Sequence, residues 1–357
     1  MPFSGRRVSE SLADLNLLKG WIKICERDHN DYEEISRYDS PTLWKAQGYT
    51  LRVIDIEENC IVIAGWDTRY VALSYVWGGV DQLRAVIANE RELATEGALL
   101  QEKYRELLPQ TIKDAMCLAA KMGERYLWVD SLCIIQDGPD IGNDVQNMDS
   151  IYGGATWCLV AASANGANDH LPRIGCLNLP CENAQQAAIV QERELAVILP
   201  TLTAAFHSSR WNTRAWTYQE RVLSKRLLIV SEKQIYFNCF HDYTFCEDIE
   251  FESSTTKSHG ANSEERAGQI YGVDGLTNFE VYARAVEAYS ARNITYHEDA
   301  LKAFAGIMAH LETSFRGLFL FGLPDKELDQ ALLWYPTSCS HPRQSRDGKR
   351  LFPSWSW

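Results

Sequence analysis

Three apolar runs of strand length, separated by helical patterns, constrain the fold of this chain more than any other feature. The runs cover residues 70–77, 126–135 and 156–162, and the second is almost unbroken. Such runs are typical of parallel strands that are covered on both faces of a sheet. Between the first two runs, the stretch from Pro109 to Gly123 carries apolar residues at helical spacing. This alternation predicts an α/β chain with a mostly parallel central sheet flanked by helices.

Shorter patterns extend this plan toward both ends of the chain. Residues 12–25 place apolar side chains on one face of an amphipathic helix, and residues 49–64 alternate in the manner of a hairpin. The remaining patterns predict helices around 144–152 and over 211–224, 279–291 and 298–311, and two strands at 226–230 and 234–239.

The length of 357 residues fits one large domain with inserts or two domains. We expect a helical docking segment over residues 1–48, an α/β core over 49–245 and a C-terminal extension of helices and strands over 246–357. Residues 163–205 are rich in Asn, Gly, Ala and Gln and are predicted to leave the sheet. Residues 250–268 are predicted to form an exposed loop.

Charge and apolar patterning argue against two classes of protein. The chain has 35 Lys and Arg against 48 Asp and Glu, a net charge of −13, which argues against a general nucleic-acid binder. It has no uncharged apolar run of about 18 residues and no signal-peptide pattern, so we expect a cytoplasmic protein without a membrane span. The ten cysteines are scattered, and we interpret them as reduced, buried thiols.

Five sequence blocks stand in order between residues 70 and 240. They are Tyr70-Val-Ala-Leu-Ser-Tyr-Val-Trp-Gly, Leu108-Pro-Gln-Thr-Ile-Lys-Asp-Ala, Arg125-Tyr-Leu-Trp-Val-Asp-Ser-Leu-Cys-Ile-Ile-Gln, Met148-Asp-Ser-Ile-Tyr-Gly-Gly-Ala and Trp211-Asn-Thr-Arg-Ala-Trp-Thr-Tyr-Gln-Glu-Arg. In this order the blocks resemble the fungal heterokaryon-incompatibility (HET) domain family. The segments Trp21–His29 and Pro353–Trp357 are similar to elements that flank the domain in that family.

The resemblance implies a toxic effector of programmed cell death that acts after fusion of genetically unlike hyphae. It also implies a fold distantly similar to TIR domains, which are flavodoxin-like. Some TIR domains cleave NAD⁺ with a Glu that lies four residues after a Trp, on a helix that follows the third strand. Trp216 and Glu220 have this spacing and order, so the resemblance implies Glu220 as the catalytic residue.

By the same resemblance, the substrate is NAD⁺ or a related nucleotide, no cofactor is needed, and the active form is a homo-oligomer. A separate protein is expected to act as the sensor. Two alternatives stay open. One is a non-enzymatic signalling module that acts by self-association, and the other is an enzyme that acts on a different N-glycoside.

The sequence departs from the family at two points. Many relatives have a cysteine a few residues after the Cys25 and His29 pair, whereas Asn30, Asp31 and Tyr32 follow here, and Ala215 replaces a glycine. The residues Cys239, His241 and Cys246 fit no standard zinc-ligand spacing. We therefore expect no metal.

Glu220 shares a helical face with Trp216 and Asn212 if residues 211–224 form one helix. A carboxylate held against an indole in a partly apolar cleft stabilises the positive charge that grows at ribosyl C1 as nicotinamide leaves. In the alternative interpretation, Glu220 belongs to a solvated face and pairs with a neighbouring cation, Arg214, Arg221 or Lys225.

Substrate contacts are predicted where strands end, because ligands of open α/β sheets bind at the carboxyl ends of the strands. Asp130 and Ser131 interrupt an apolar run, where an unpaired carboxylate is costly, so they are candidate ribose contacts. Gly78 permits close approach of a phosphate. The predicted substrate-binding residues are Ser74, Trp77, Gly78, Asp130, Ser131, Arg210, Arg214 and Trp216.

Each of these assignments has a structural alternative. Asp130 can be an internal hydrogen-bond anchor, the Trp77-Gly78-Gly79 stretch a simple turn, and the two arginines surface ion pairs. The chain lacks the Gly-x-Gly-x-x-Gly and Gly-x-x-x-x-Gly-Lys-Ser/Thr patterns, so neither a Rossmann dehydrogenase nor a P-loop NTPase is supported. Cys133 lies in an apolar run and is interpreted as a buried thiol.

Overall fold

The computed structural model describes residues 4–29, 50–65, 67–175, 185–240, 244–250, 270, 275–337 and 341–357. Predictions for residues 30–48, for His241 and for most of the loop at 250–268 lie outside these described residues. The chain divides into two compact units. The first comprises Met1–Asp144, Ile151–Asn212 and Ser224–Gly260, and the second comprises Val145–Ser150, Thr213–Leu223 and Ala261–Trp357.

The described strands are short, and most belong to the first unit. They are β1 (Ser4–Gly5), β2 (Arg52–Asp55), β3 (Cys60–Ile63), β4 (Val71–Ser74), β5 (Tyr126–Trp128), β6 (Trp157–Ala161), β7 (Ala187–Val190), β8 (Arg193–Ala196), β9 (Arg226–Val230), β10 (Ile235–Cys239), β11 (Thr244–Cys246), β12 (Ile249–Glu250), β13 (Phe319–Leu320) and β14 (Leu323–Pro324).

The described helices vary from one turn to almost four. They are α1 (Leu15–Asp28), α2 (Glu90–Leu93), α3 (Glu102–Arg105), α4 (Gln110–Met122), α5 (Asp130–Cys133), α6 (Ile141–Gln146), α7 (Met148–Gly154), α8 (Leu202–His207), α9 (Trp216–Leu223), α10 (Asn278–Ser290), α11 (Ala305–Phe315) and α12 (Leu328–Ala331). Short 3₁₀ turns lie at Ala98–Leu100, Trp211–Thr213, His297–Asp299, Lys302–Phe304 and Asp325–Glu327.

An eight-stranded sheet forms the centre of the first unit, in the order β11-β10-β9-β6-β4-β5-β2-β3. Its four central strands, β9, β6, β4 and β5, are parallel. The pairs β2–β3 and β10–β11 add antiparallel hairpins at the two edges. Numbered along the chain, the parallel strands stand in the order 2-1-3-4, which is the flavodoxin-like arrangement. The predicted α/β class with a parallel sheet core is confirmed.

Burial explains why this core forms. Every residue of β4, β6 and β9 is buried, as expected for parallel strands covered by helices on both faces. Helix α1 packs against α4 and β10, and its buried face is formed by Leu18, Trp21, Ile22 and Cys25. Helix α4 begins after Pro109 and ends at Gly123, whose φ of +93° suits glycine at a helix end. The predictions for these two helices are confirmed.

The predicted strand over 126–135 is wrong beyond Trp128. The chain turns there into the one-turn helix α5, so Asp130 follows the strand instead of interrupting it. The Cys133 backbone N–H donates to the Val129 carbonyl at 2.7 Å and closes this turn, and the Asp130 carboxylate accepts the Ser131 backbone N–H at 2.6 Å. Cys133 on this turn is 1% exposed, and burial raises the pKa of its thiol to about 12. Its interpretation as a buried thiol is confirmed.

The predicted helices at 144–152, 211–224 and 298–311 are each interrupted. The first is divided into α6 and α7, and the last begins as 3₁₀ turns before α11. In the second, helix α9 starts only at Trp216, because Ala215 N–H donates to the Asn293 carbonyl and Asn293 N–H donates to the Thr213 carbonyl. These bonds hold the preceding backbone outside the helix, so the prediction of one helix over 211–224 is wrong before Trp216.

The second unit has an aromatic core. Tyr218 on α9 stacks on Phe304 with ring centroids 6.2 Å apart, and Tyr289 on α10 lies 4.9 Å from Phe304. Trp357 meets Phe304 edge-on at 5.3 Å, and its Nε1 donates to the Tyr282 hydroxyl at 3.0 Å. These contacts make Trp357 part of the packed core of this unit.

Two further findings concern cysteine state and membrane insertion. Of the cysteines that the structure describes, six are free thiols and Cys117 is disulfide-bonded, so the expectation of reduced thiols is wrong at that position. None of the described helices is both long enough and apolar enough to cross a bilayer.

Two helical glycines give opposite expectations for substitution by alanine. A Cβ at Gly306 on α11 would lie 2.6 Å from Asp149 Cβ and 2.8 Å from Leu223 Cδ1, whereas a Cβ at Gly20 on α1 meets nothing within 4 Å. We expect Gly20→Ala to stabilise the chain by about 0.5–1 kcal/mol and Gly306→Ala to destabilise it by about 1–3 kcal/mol. Urea denaturation of both variants measures this difference, and equal effects at the two positions would contradict the packing described.

Candidate functional site

The carboxyl ends of the parallel strands gather most of the predicted contact residues of the first unit. Strand β4 ends at Ser74 and leads to Trp77, while β5 ends at Trp128 and leads to Asp130. Both chain segments leave the sheet at the same edge because the strands are parallel. The carboxyl ends of parallel strands are where open α/β sheets bind ligands.

A charge-assisted hydrogen bond joins two of these residues. Trp77 Nε1 donates to Asp130 Oδ2 at 2.8 Å, and both side chains are half-buried. The same carboxylate accepts the Ser131 backbone N–H through Oδ1, and Gln136 Nε2 donates to the Asp130 carbonyl at 3.0 Å. These hydrogen bonds fix the orientation of the pair. Because the pair is only half-buried, the Asp130 carboxylate is also accessible to the hydroxyls of a sugar.

Ser131 and Ser74 are occupied inside the protein. Ser131 is fully buried, with Oγ 3.0 Å from the Tyr75 hydroxyl. Ser74 is also fully buried, and its Oγ accepts a hydrogen bond from Trp211 Nε1 at 2.7 Å. Burial raises the pKa of Tyr75 well above its ordinary value. These contacts fit the structural interpretation of both serines, and their assignment as substrate contacts stays a prediction.

Gly78 is a contact point between two loops. Its φ is +74°, and a Cβ there would lie 2.7 Å from the Gly166 Cα, in the loop after β6. Ala167 in that loop donates its N–H to the Trp77 carbonyl and accepts from the N–H of Thr111, at the start of α4. The neighbouring Gly79 is exposed, with a φ of +71° and open space where a Cβ would stand. Gly79 is thus the more accessible glycine for a phosphate.

Arg210 belongs to the same region, since its Nη1 donates to the Asn165 carbonyl at 3.0 Å in the loop after β6. Its side chain is exposed. The first unit therefore brings Trp77, Gly78, Asp130 and Arg210 to the loops at one edge of the sheet, with Ser74 and Ser131 buried beneath them.

Glu220, Trp216 and Arg214 lie in the second unit. Trp216 begins α9 and is half-buried, while Glu220, one turn later on the same face, is 6% exposed. The Thr217 hydroxyl donates to the Arg214 carbonyl at 2.9 Å and ties the start of the helix to the preceding turn. The arrangement places a buried carboxylate beside an indole on a short, fixed helix.

A half-buried guanidinium lies close to this helix. Arg292 Nη1 donates to the Arg214 carbonyl at 3.2 Å, and the guanidinium carbon lies 5.1 Å from the Tyr218 ring centroid. Burial and the positive charge of Arg221 together lower the pKa of Arg292 to about 10, and the negative charge of Glu220 opposes this shift. The attraction is mutual, so Arg292 stabilises the negative charge of Glu220. Sequence patterns did not identify Arg292, which is 72 positions from Glu220 along the chain.

Two other features of the first unit were not selected from the sequence. A polar cleft of about 280 Å³ is lined partly by Arg52, Glu90 and Asp140, and no predicted site residue lines it. Separately, Cys25, His29 and Cys239 approach one another in the interior. That group offers ligands for a metal, whereas the spacing of the cysteines along the chain had suggested none.

Comparison with known proteins gives one match. Residues 70–220, somewhat less than half of the chain, match the family model described as Heterokaryon incompatibility protein (HET). This confirms the resemblance of the sequence blocks within that range and supports a role in heterokaryon incompatibility. No curated protein and no solved structure matches the chain.

The Trp77–Asp130 hydrogen bond is testable by a double-mutant cycle. We expect Trp77→Phe and Asp130→Asn to be coupled by about 1–2 kcal/mol in the free energy of unfolding, since the bond is charge-assisted and half-buried. Chemical denaturation of the two single variants and the double variant measures this coupling. Additive effects would show that the pair makes no net contribution.

Proposed function

We propose that this chain, through the HET domain at residues 70–220, is a cell-death effector of heterokaryon incompatibility that cleaves NAD⁺ at the bond between ribose and nicotinamide. The family match supports the role in incompatibility. The setting of Glu220 supports the chemistry. The proposal rests on one observation: the carboxylate that the resemblance implies is buried on the same helix as Trp216.

Glu220 is a carboxylate with 6% exposure that lies one helical turn after Trp216 and interacts electrostatically with Arg292. Removing a carboxylate from water is costly unless it is compensated, and the attraction between Glu220 and Arg292 offsets part of that cost. A charge held in a low-dielectric setting acts more strongly on a neighbouring developing charge than one in water. Glu220 therefore has the properties of a residue that stabilises a cationic transition state.

The reaction needs little more than such a charge. The bond between ribosyl C1 and the nicotinamide nitrogen breaks, and nicotinamide leaves as a neutral molecule with the electron pair of that bond. Positive charge then develops at C1 and is stabilised by the carboxylate. Water adds to C1 and loses a proton, which gives ADP-ribose, nicotinamide and H⁺. No general acid is required, because the leaving group is already cationic in the substrate.

Replacing Glu220 tests the chemistry. We expect purified protein at high concentration to release nicotinamide from NAD⁺, and Glu220→Gln, which keeps the shape and removes the charge, to lower the rate by roughly a hundredfold or more. Chromatographic measurement of nicotinamide gives the rate. Glu287→Gln is the matched control, because Glu287 is an exposed glutamate on α10 of the same unit.

Two results would contradict the catalytic assignment. The first is equal release of nicotinamide by Glu220→Gln and the unchanged chain, when thermal denaturation shows that both proteins are folded. The second is no release by either protein at any concentration up to the solubility limit. The second result would favour the non-enzymatic alternative.

One observation favours that alternative, in which copies of the chain act by self-association. Strands β7 and β8 form a separate two-stranded sheet whose residues are all exposed. Ile189 is 79% exposed, and Leu195 on the opposite strand is 56% exposed. Each strand has an outer edge that pairs with no described strand, and the hairpin carries both acidic and basic residues. A second copy of the same hairpin suits such a self-complementary edge.

We expect Ile189→Lys to weaken self-association by roughly tenfold, which corresponds to about 1.4 kcal/mol, without loss of thermal stability. Sedimentation velocity over a range of concentrations measures the association. Ile63→Lys is the matched control, because Ile63 lies at the end of β3 and is 73% exposed. The hairpin is excluded as the contact if both variants behave alike.

A further inference from the structure

Three side chains of the metal-ligating kinds meet in the interior of the first unit. The ligand atoms of Cys25, His29 and Cys239 all lie within 4.8 Å of one another. Cys25 is 0%, Cys239 2% and His29 6% exposed. Thiolates and imidazoles are the ligands that Zn²⁺ prefers. Three such side chains buried together indicate a metal site more directly than the spacing of cysteines along a sequence does.

The fold brings the three residues together from two distant places. Cys25 lies on the last turn of α1 and His29 caps it, with the His29 N–H donating to the Cys25 carbonyl at 2.9 Å. Side chains four residues apart share one face of a helix, so both ligands point the same way. Cys239 is the last residue of β10, and α1 packs against β10.

The separation of two ligand atoms already suits a metal. Cys239 Sγ lies 3.5 Å from His29 Nδ1. In a tetrahedral site with Zn–S of about 2.3 Å and Zn–N of about 2.0–2.1 Å, the distance from sulfur to nitrogen is about 3.5 Å. These two side chains therefore stand at the ligating distance as they are, and Cys25 Sγ lies within reach of both.

Arg226 orients the remaining ligand. Its Nε donates to Cys25 Sγ at 3.2 Å, and its Nη1 donates to the Thr156 carbonyl at 3.1 Å. Arg226 is itself 5% exposed and pairs with Cys239 across β9 and β10. Hydrogen bonds from outside the ligand set to a metal-bound sulfur fix its orientation and temper its charge.

We propose that Cys25, His29 and Cys239 bind a Zn²⁺ ion that fastens α1 to the end of β10. Two thiolates neutralise the charge of the ion, so the complex can lie in the interior without an uncompensated charge. The three side chains supply three of the four tetrahedral positions, and their burial keeps the ion away from bulk water. The site is independent of the chemistry proposed for Glu220.

Zinc content and its link to stability test the proposal. We expect chain purified with reductant and then desalted to hold roughly one zinc per molecule by plasma mass spectrometry, and Cys239→Ser and Cys25→Ser to lose it. Cys246→Ser is the matched control, because Cys246 lies on β11, beside β10 and outside the cluster. A chelator is expected to lower the melting temperature of the unchanged chain and of Cys246→Ser, but not of Cys239→Ser.

Cobalt provides a readout on the unchanged chain in case the serine variants do not fold. Co²⁺ added to metal-free protein is expected to show thiolate charge-transfer absorption and tetrahedral ligand-field bands, both removed by Zn²⁺. The proposal is overturned if the unchanged chain takes up neither Zn²⁺ nor Co²⁺. It is also overturned if Cys246→Ser loses metal as Cys239→Ser does. If the unchanged chain takes up neither ion, the Cys239–His29 contact is a thiol–imidazole hydrogen bond.

Discussion

The complete burial of three adjacent parallel strands is the constraint on which the rest of the first unit depends. Strands β4, β6 and β9 are buried at every residue, so their backbone groups must pair within the sheet and their side chains must be apolar or internally bonded. The polar residues of the candidate site therefore lie where the strands end. Parallel strands end at the same edge, and this is why Trp77, Asp130 and Arg210 reach neighbouring loops although they lie far apart in the sequence.

Local patterns predicted the parts of the fold that local physics determines. The apolar runs marked β4, β5 and β6, and the caps marked α4, because burial and helix ends leave periodic signals. The failures have distant or competing causes. The break before α9 comes from hydrogen bonds to Asn293, about eighty positions away, and no signal in residues 211–224 reveals it. The turn after Trp128 is closed by the Cys133 backbone N–H, which donates to the Val129 carbonyl, and the apolar pattern of residues 126–135 does not reveal it.

For the candidate sites too, local patterns predicted some features and only the packed fold shows the others. The ends of the apolar runs predicted Trp77 and Asp130, and the resemblance to TIR domains predicted Glu220. The Trp77–Asp130 hydrogen bond and the contact between Gly78 and Gly166 are properties of packed loops. Spacing rules for zinc assume ligands in pairs close along the chain. Cys239 and His29 are 210 positions apart, so a spacing rule does not detect them. Only the packing of α1 on β10 makes them neighbours.

The electrostatic attraction between Glu220 and Arg292 bears on the proposed function. A buried charge is expensive unless opposite charges or hydrogen bonds compensate it. Burial is the largest cause that lowers the pKa of Arg292, to about 10, and the negative charge of Glu220 opposes this shift. Buried charges and shifted pKa values are enriched at functional sites. Glu220 is buried on α9 and attracts Arg292, whose pKa is lowered. This combination, together with its spacing from Trp216, is why the proposed chemistry is assigned to Glu220 rather than to an exposed glutamate such as Glu287.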